Sequence, residues 1–209
     1  DVAEAITLAD GGASFTDTGV TETSVTGGTG ADTITGVGAT ALYGGDGDDT
    51  LIDGAGANTL DGGDGSDRLI LNDRDFGGSN TITDTGASGT DTLVLGTGSG
   101  TYRVQADFSA ISSGIEVIDG SNVAGDQLGT NEGAANFDFS DITLVGVDKI
   151  IGTDLADQVT GSDSDDQIFG YAGDDTLTGG AGDDTLDGGA GSADRAIYAA
   201  DLADLAITY

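Results

Sequence analysis

A nine-residue period constrains this 209-residue chain more than any other feature. Residues 170–178 read GYAGDDTLT, 179–187 read GGAGDDTLD, 44–52 read GGDGDDTLI and 62–70 read GGDGSDRLI. The shared rule is GGxGxDxUx, where U is a large aliphatic residue. A short fixed period of this kind specifies a solenoid, in which one repeat cannot bury its apolar residue alone but stacked repeats can. The first six residues form a tight loop that glycine permits, presenting a carboxylate and main-chain carbonyls as hard oxygen ligands. The last three form a short strand with U directed inward.

The phase runs through two blocks. In the first, repeats begin at Gly27, Gly36 (one residue short), Gly44, Asp53 and Gly62, which sets Ile34, Leu42, Leu51, Leu60 and Leu69 inward. In the second, repeats begin at Gly152, Gly161, Gly170, Gly179 and Gly188, with Val159, Ile168, Leu177, Leu186 and, after one extra residue, Ile197 inward. The expected organisation is irregular strands over 1–26, block one over 27–75, less regular solenoid rungs over 76–151, block two over 152–198 and a terminal segment over 199–209. Within the connector, Asp107-Phe108-Ser109 followed by GIEVIDG aligns with Asp138-Phe139-Ser140 followed by GVDKIIG, and an isolated nonamer, GASGTDTLV, occupies 86–94. Glycine density disfavours helices, leaving 199–206 as the single short helix expected.

Charge narrows the function classes. Thirty-eight acidic residues face five basic ones, a net charge of −33. Such a chain has no basic patch for nucleic acid, and its self-repulsion opposes compaction unless cations bind. A disordered acidic tail is the bland alternative, but the acids sit at fixed repeat positions beside regularly spaced aliphatic residues. With no cysteine or histidine there is neither a disulfide framework nor a transition-metal ligand set. Six or more oxygen ligands suit calcium better than magnesium, and weak all-oxygen sites belong where calcium is abundant, outside the cell. No segment has the length of an apolar membrane-spanning helix. The chain starts mid-pattern at Asp1 and reads as a piece of something longer.

If two nonamers complete one flattened coil of about eighteen residues, each loop stacks on the loop two repeats away, and the sixth-position residues form columns. Block two carries Asp157, Asp166, Asp175 and Asp184, so both edges have ligands. Block one alternates Asp32, Thr40, Asp49, Asn58 and Asp67, so only one edge does. The expectation is calcium along one edge of block one and both edges of block two, roughly five ions with about six to eight ligands each.

These nonapeptides resemble those of the RTX (repeats-in-toxin, hemolysin-type calcium-binding) family. The resemblance implies an all-β fold, a right-handed parallel β-roll or β-helix solenoid with calcium between stacked loops, and type I secretion with folding triggered by extracellular calcium. Carried over, it makes the sixth-position aspartates side-chain ligands and assigns carbonyl ligands to Gly44, Gly47, Gly62, Gly65, Gly170, Gly173, Gly179 and Gly182. Thr40, Asn58 and the long connector depart from the pattern.

The leading functional expectation is a non-catalytic module of a large secreted or bacterial cell-surface protein, of adhesin, surface-layer or biofilm-matrix type. Nested repetition supports it, as long arrays are built that way. Its partners would be calcium, neighbouring domains of a longer chain and, at the exposed strand edges, further copies or cell-surface polysaccharide. The alternative is an accessory domain of an exported protease, lipase or polysaccharide epimerase. Intrinsic chemistry has little to stand on: Lys149 lies in an aliphatic strand without a nucleophile, and no carboxylate pair is placed in a cleft by the sequence. A flat ice- or polysaccharide-binding face is a third reading, weakened because the Thr33, Thr50, Thr59, Thr176 and Thr185 series is broken by Ala41, Arg68, Gln158 and Gln167.

Overall fold

The computed structural model describes residues 4–16, 22–36, 40–54, 57–72, 80–86, 88–96, 100–109, 113–120, 124–130 and 133–198. The helix expected over 199–206 lies outside them. The described residues form twenty-one strands of three to eight residues. Thr or another β-branched residue flanks the inward aliphatic side chain in strands such as Thr33–Thr35, Thr50–Ile52 and Thr176–Thr178, and this alternation fits a pleated strand with one face in the core.

The first turns of the coil pair β1 (Glu4–Thr7) with β2 (Ser14–Thr16), then β3 (Glu22–Thr29) with β4 (Thr33–Thr35) and β5 (Ala41–Asp46) with β6 (Thr50–Ile52). They continue with β7 (Thr59–Asp64) and β8 (Arg68–Leu71), β9 (Thr81–Thr83) and β10 (Thr92–Leu95), and β11 (Thr101–Arg103) and β12 (Val117–Asp119). A turn of three strands follows: β13 (Gln127–Gly129), β14 (Asn136–Asp138) and β15 (Thr143–Val145). The last described strands are β16 (Lys149–Ile151), β17 (Gln158–Thr160), β18 (Gln167–Phe169), β19 (Thr176–Thr178), β20 (Thr185–Asp187) and β21 (Arg195–Ile197).

Strands alternate between faces and pair in parallel with the strand one turn away, giving sheets ordered β1-β3-β5-β7-β9, β15-β12-β10-β8-β6-β4-β2, β11-β13-β16-β18-β20 and β14-β17-β19-β21. The fold is therefore an all-β parallel β-roll. Register follows the repeat: Leu42 pairs with Leu60 and Leu51 with Leu69. The short repeat at Gly36 does not shift it, because Val25 still pairs with Leu42. Inward residues of both faces, from Val25, Ile34, Leu42, Leu51, Leu60 and Leu69 through Leu93, Ile118 and Leu128 to Val159, Ile168 and Leu177, form one buried cluster. Each fully buried aliphatic side chain contributes about 1.5–3 kcal/mol.

Between the blocks the coil changes shape. An isolated bridge, Asn80 to Val104, carries the first face from the first sheet into the third. Beside it the Gln105 side-chain amide continues the ladder, donating to the Ile82 carbonyl at 2.7 Å and accepting the Ile82 N–H at 3.0 Å. The second face of block one stops at β15, while a new face opens at the Ser109–Asp138 bridge and runs through β14, β17 and β19. Phe108, Phe137 and Phe139 fill this junction, their ring centroids 5.6 and 6.1 Å apart.

One sequence expectation is corrected here, and one sequence similarity does not extend to stacking. The aligned connector copies do not stack on one another: β12 (in GIEVIDG) pairs with β15, whereas β16 (in GVDKIIG) belongs to the other face. The extra strand in the β13–β15 turn is what separates them. At the end of block two, Ala196, not Ile197, pairs with Leu177 and takes the inward register, because the additional residue is absorbed in the loop before the strand.

Candidate metal centre

Each loop that joins a first-face strand to a second-face strand in block one ends in an acid, and the acids form a ladder. The main-chain N–H of Asp32 donates to Asp49 Oδ1, that of Asp49 to Asp67 Oδ1 and that of Asp67 to Asp91 Oδ1, each at 2.7 Å. Asp91 N–H then donates to Glu116 Oε2 at 2.8 Å. Below them, Ala13 N–H donates to Asp32 Oδ1. One oxygen of each carboxylate thus ties adjacent turns, and a carboxylate has no donor of its own.

The second oxygen is where a cation is needed. Asp32, Asp49, Asp67 and Asp175 are at most 2% exposed, and the Oδ2 atom of each is buried without a hydrogen-bond partner. A buried anionic oxygen left this way is costly unless a cation balances it. The oxygen partners are in place. A methyl group on Gly44 would collide with both Asp49 Oδ2 and the Gly62 carbonyl oxygen, and one on Gly27 would collide with the Gly44 carbonyl and overlap Asp32 Oδ2. The nook in front of the first glycine is therefore lined by a carboxylate oxygen of its own loop and a carbonyl oxygen of the next. This donor set, acidic and carbonyl oxygen throughout, fits calcium.

In block two the same columns appear. Asp157 N–H donates to Asp175 Oδ1 at 2.8 Å, Asp175 N–H to Asp194 Oδ1 at 3.1 Å, and on the other edge Asp166 N–H to Asp184 Oδ1 at 3.1 Å. Gly152, Gly161, Gly170 and Gly179 each face the Oδ2 of their own aspartate. Gly47, Gly65, Gly173 and Gly182, at the fourth loop position, have φ between +109° and +143° and lie against the backbone of the preceding turn. Two loops differ. Thr153 N–H donates to Asp157 Oδ2 at 2.6 Å, and the N–H and Oγ of Ser162 donate to Asp166 Oδ2 at 2.7 and 3.0 Å. These residues replace the second glycine of the repeat, so both aspartates already have donors.

The opposite edge of block one is built without acids in the column. Thr40 N–H donates to Asn58 Oδ1 at 2.9 Å and Asn58 N–H to Asn80 Oδ1 at 2.8 Å, the same ladder as on the acidic edge. Asn58 Nδ2 donates to the Gly54 carbonyl at 2.9 Å, so an amide hydrogen satisfies a loop carbonyl directly.

Burial and stacking raise the acidic pKa values. Desolvation, then the neighbouring aspartates, push Asp49 and Asp67 up to about 6. Asp84 is pushed up to about 7 by burial first and the charge of Asp91 second. Asp91, Asp166, Asp175 and Asp184 are raised with burial as the leading cause.

Sequence reasoning left out four column members. Asp91 was legible, as the sixth residue of the isolated nonamer over 86–94; Asp194 is displaced by one residue from its expected place; Glu116 and Asn80 lie outside any nonapeptide. Lys149, without a nucleophile partner, sits with its Nζ 5.1 Å from the centre of the Phe169 ring, a cation–π contact. No helix among the described residues is long and apolar enough to cross a membrane.

A profile of the RTX calcium-binding nonapeptide repeat, in four copies, matches residues 23–37, 42–73, 145–177 and 160–192. No curated protein matches the chain. The matched segments contain the ladder from Asp32 to Asp67 and the columns Asp157–Asp175 and Asp166–Asp184, and with them the partnerless Oδ2 atoms of Asp32, Asp49, Asp67 and Asp175. The matched residues are therefore RTX calcium-binding nonapeptide repeats, stacked in a parallel roll.

Proposed function

We propose that this chain is a non-catalytic, calcium-stabilised structural module of a large secreted or cell-surface protein, of adhesin, surface-layer or biofilm-matrix type, which folds on meeting extracellular calcium. The observation that carries it is the row of buried, donor-less Oδ2 atoms on Asp32, Asp49, Asp67 and Asp175, each in a column of like charge. Such a fold is disfavoured until divalent ions bind, and favoured in proportion to their concentration afterwards. Calcium is thereby both the folding signal and the stiffener. The absence of cysteine suits a chain that crosses an envelope unfolded.

The ions lie between the loop pairs beginning at Gly27 and Gly44, Gly44 and Gly62, Gly152 and Gly170, Gly161 and Gly179, and Gly170 and Gly188, roughly five in all. Asp32, Asp49, Asp67, Asp157, Asp166, Asp175 and Asp184 supply carboxylate oxygens, and the loop glycines Gly44, Gly47, Gly62, Gly65, Gly170, Gly173, Gly179 and Gly182 supply carbonyls. The amide-closed edge at Thr40, Asn58 and Asn80 takes none.

Far-ultraviolet circular dichroism during a calcium titration, with magnesium as control, tests the reading. A cooperative gain of β signal with calcium alone is expected. Asp175→Ala should lower the bound-calcium count, and Asn58→Ala should leave it unchanged. A chain that stays disordered in saturating calcium overturns the reading; loss of an ion on Asn58→Ala overturns the one-edge assignment.

A further inference from the structure

The block-one ladder does not stop where the nonapeptides do. The family match in block one ends at residue 73, yet the next loop, whose ends are Asp84 and Asp91, lies on the same edge one turn further. It breaks the repeat rule twice: it has eight residues where the others have six, and Asp84 stands where they have their first glycine.

That substitution changes the chemistry of the nook below it. In front of Gly27 and Gly44 the oxygen from the next turn is a main-chain carbonyl, of Gly44 and Gly62 respectively. In front of Gly62 it is a carboxylate oxygen, Asp84 Oδ1, 2.7 Å from where a methyl group on Gly62 would stand. Asp84 is fixed there, since its Oδ1 accepts the Gly63 N–H at 2.8 Å and its own N–H donates to the Ser113 carbonyl at 2.5 Å. Gly114 closes over it, leaving no room for a β-carbon. Asp91 comes from the other end of the same loop, fixed through its Oδ1 by the Asp67 N–H. Oxygen atoms of Asp67, Asp84 and Asp91 lie within 4.8 Å of one another. An independent observation directs this cluster at a ligand: Asp67 is 1% exposed, and its Oδ2, which faces the same nook as Asp84 Oδ1, has no hydrogen-bond partner.

We propose that Asp67, Asp84 and Asp91 form a carboxylate-type site for a hard divalent or trivalent cation at the end of the block-one stack, distinct from the carbonyl-rich sites of the nonapeptides. The proposal rests on the reading that the acidic edge of block one takes calcium. Replacing a neutral carbonyl by a carboxylate raises the ligand charge, the variable by which all-oxygen calcium sites tune their affinity. This site therefore fills first as calcium rises, and it prefers a lanthanide more strongly than the sites beneath it. Its position also gives it a structural role, since Asp84 and Asp91 bracket a loop outside the repeats and the ion ties the connector to the last full nonapeptide.

The test uses the full chain and two ions, calcium and terbium. Calorimetric calcium titration compares wild type with Asp84→Asn/Asp91→Asn and with a charge-matched control, Asp138→Asn/Asp141→Asn, whose residues are exposed and lie outside the nonapeptide loops. The amide variants keep the acceptors that hold Gly63 and Asp67, as Asn58 and Asn80 already do on the opposite edge. The expected result is one fewer bound ion and at least about tenfold weaker binding of the first ion in the double variant, with the control unchanged. Terbium-soaked wild-type crystals supply a second readout that no variant needs: an anomalous peak ligated by Asp67, Asp84 and Asp91. Wild-type protein that binds calcium while its double variant shows the same count and first-ion affinity overturns the proposal. So do terbium peaks between the nonapeptide loops with none at these three residues. A wild-type chain that binds no calcium removes the underlying reading as well, and the calorimetry alone separates that case.

Discussion

Removing the metal should invert the pH dependence of stability. Without cations, Asp49 and Asp67 have carboxyls raised from the ordinary 3.8 to about 6, chiefly by burial and then by stacked neighbours. A group whose pKa is higher in the fold than in the unfolded chain holds its proton more tightly when folded. Its stabilisation is complete below pH 3.8 and lost as pH rises through about 6. The span from 3.8 to about 6 corresponds to about 3 kcal/mol per carboxylate. Water that reaches the loops screens part of this, so about half of it, ~1.5 kcal/mol each and ~3 kcal/mol for the pair, is the working figure. The metal-free roll is thus expected to gain ~3 kcal/mol between pH 7.5 and pH 4. With calcium the sign reverses, because protons compete for the same oxygens and binding releases them.

The assay is the osmolyte concentration needed to fold metal-free protein, followed by far-ultraviolet circular dichroism from pH 4 to pH 8. Osmolytes favour burial without entering the sites, so a roll that is unfolded in buffer is still measurable. General repulsion from a net charge of −33 also eases with acid, and it must be separated. About 1 M potassium chloride shortens the Debye length to ~3 Å and suppresses that long-range part, while buried, stacked carboxylates are screened far less. The folding midpoint should fall with pH in high salt and without metal. In millimolar calcium, stability should instead rise from pH 4 to pH 7. A metal-free midpoint that rises on acidification, or one whose pH dependence disappears in salt, would refute the reasoning.

Two further outcomes follow from packing and backbone alone. Leu51→Ala should cost about 2–5 kcal/mol in calcium, by loss of a fully buried side chain at the middle of the second face, with the ion count unchanged; equilibrium urea unfolding of the calcium-loaded protein checks it. Tyr171, at φ +76° and 52% exposed, stands where Gly45 and Gly63 take the same left-handed backbone. Tyr171→Gly should stabilise the calcium form by about 0.5–1 kcal/mol, the left-handed strain of about 1–2 kcal/mol less the greater freedom of glycine in the unfolded chain, read from the thermal midpoint.

What could be read from the sequence was whatever repeats at fixed spacing. The inward column from Ile34 to Leu69 and that from Val159 to Leu186 needed only the period, because a coil of nearly constant length turns a sequence interval into a stacking interval. Where the interval varied, the inference failed for the same reason. The single added residue before Asp194 leaves the inward position two residues after that aspartate, at Ala196, where Ile197 was expected, and the extra strand in the β13–β15 turn sent two similar connector sequences to different faces. Sequence similarity there preserves local strand chemistry but not the running length that decides what lies above it.

The two edges of block one show the same ladder completed with acids and with amides. On both edges the main-chain N–H of one loop donates to a side-chain oxygen of the loop a turn further, so the backbone cannot tell Asp49 from Asn58. The other end of the side chain separates them: Asp49 Oδ2 is an acceptor facing a carbonyl oxygen, whereas Asn58 Nδ2 is a donor bonded to one. One atom, oxygen or nitrogen, therefore decides whether the loop needs a cation. An amide on every rung would give a roll indifferent to calcium, and an acid on every rung would leave the metal-free chain with both edges repelling. On the calcium reading proposed above, acids on one edge and amides on the other give block one an edge whose column side chains are satisfied within the chain and an edge whose buried carboxylate oxygens require a cation.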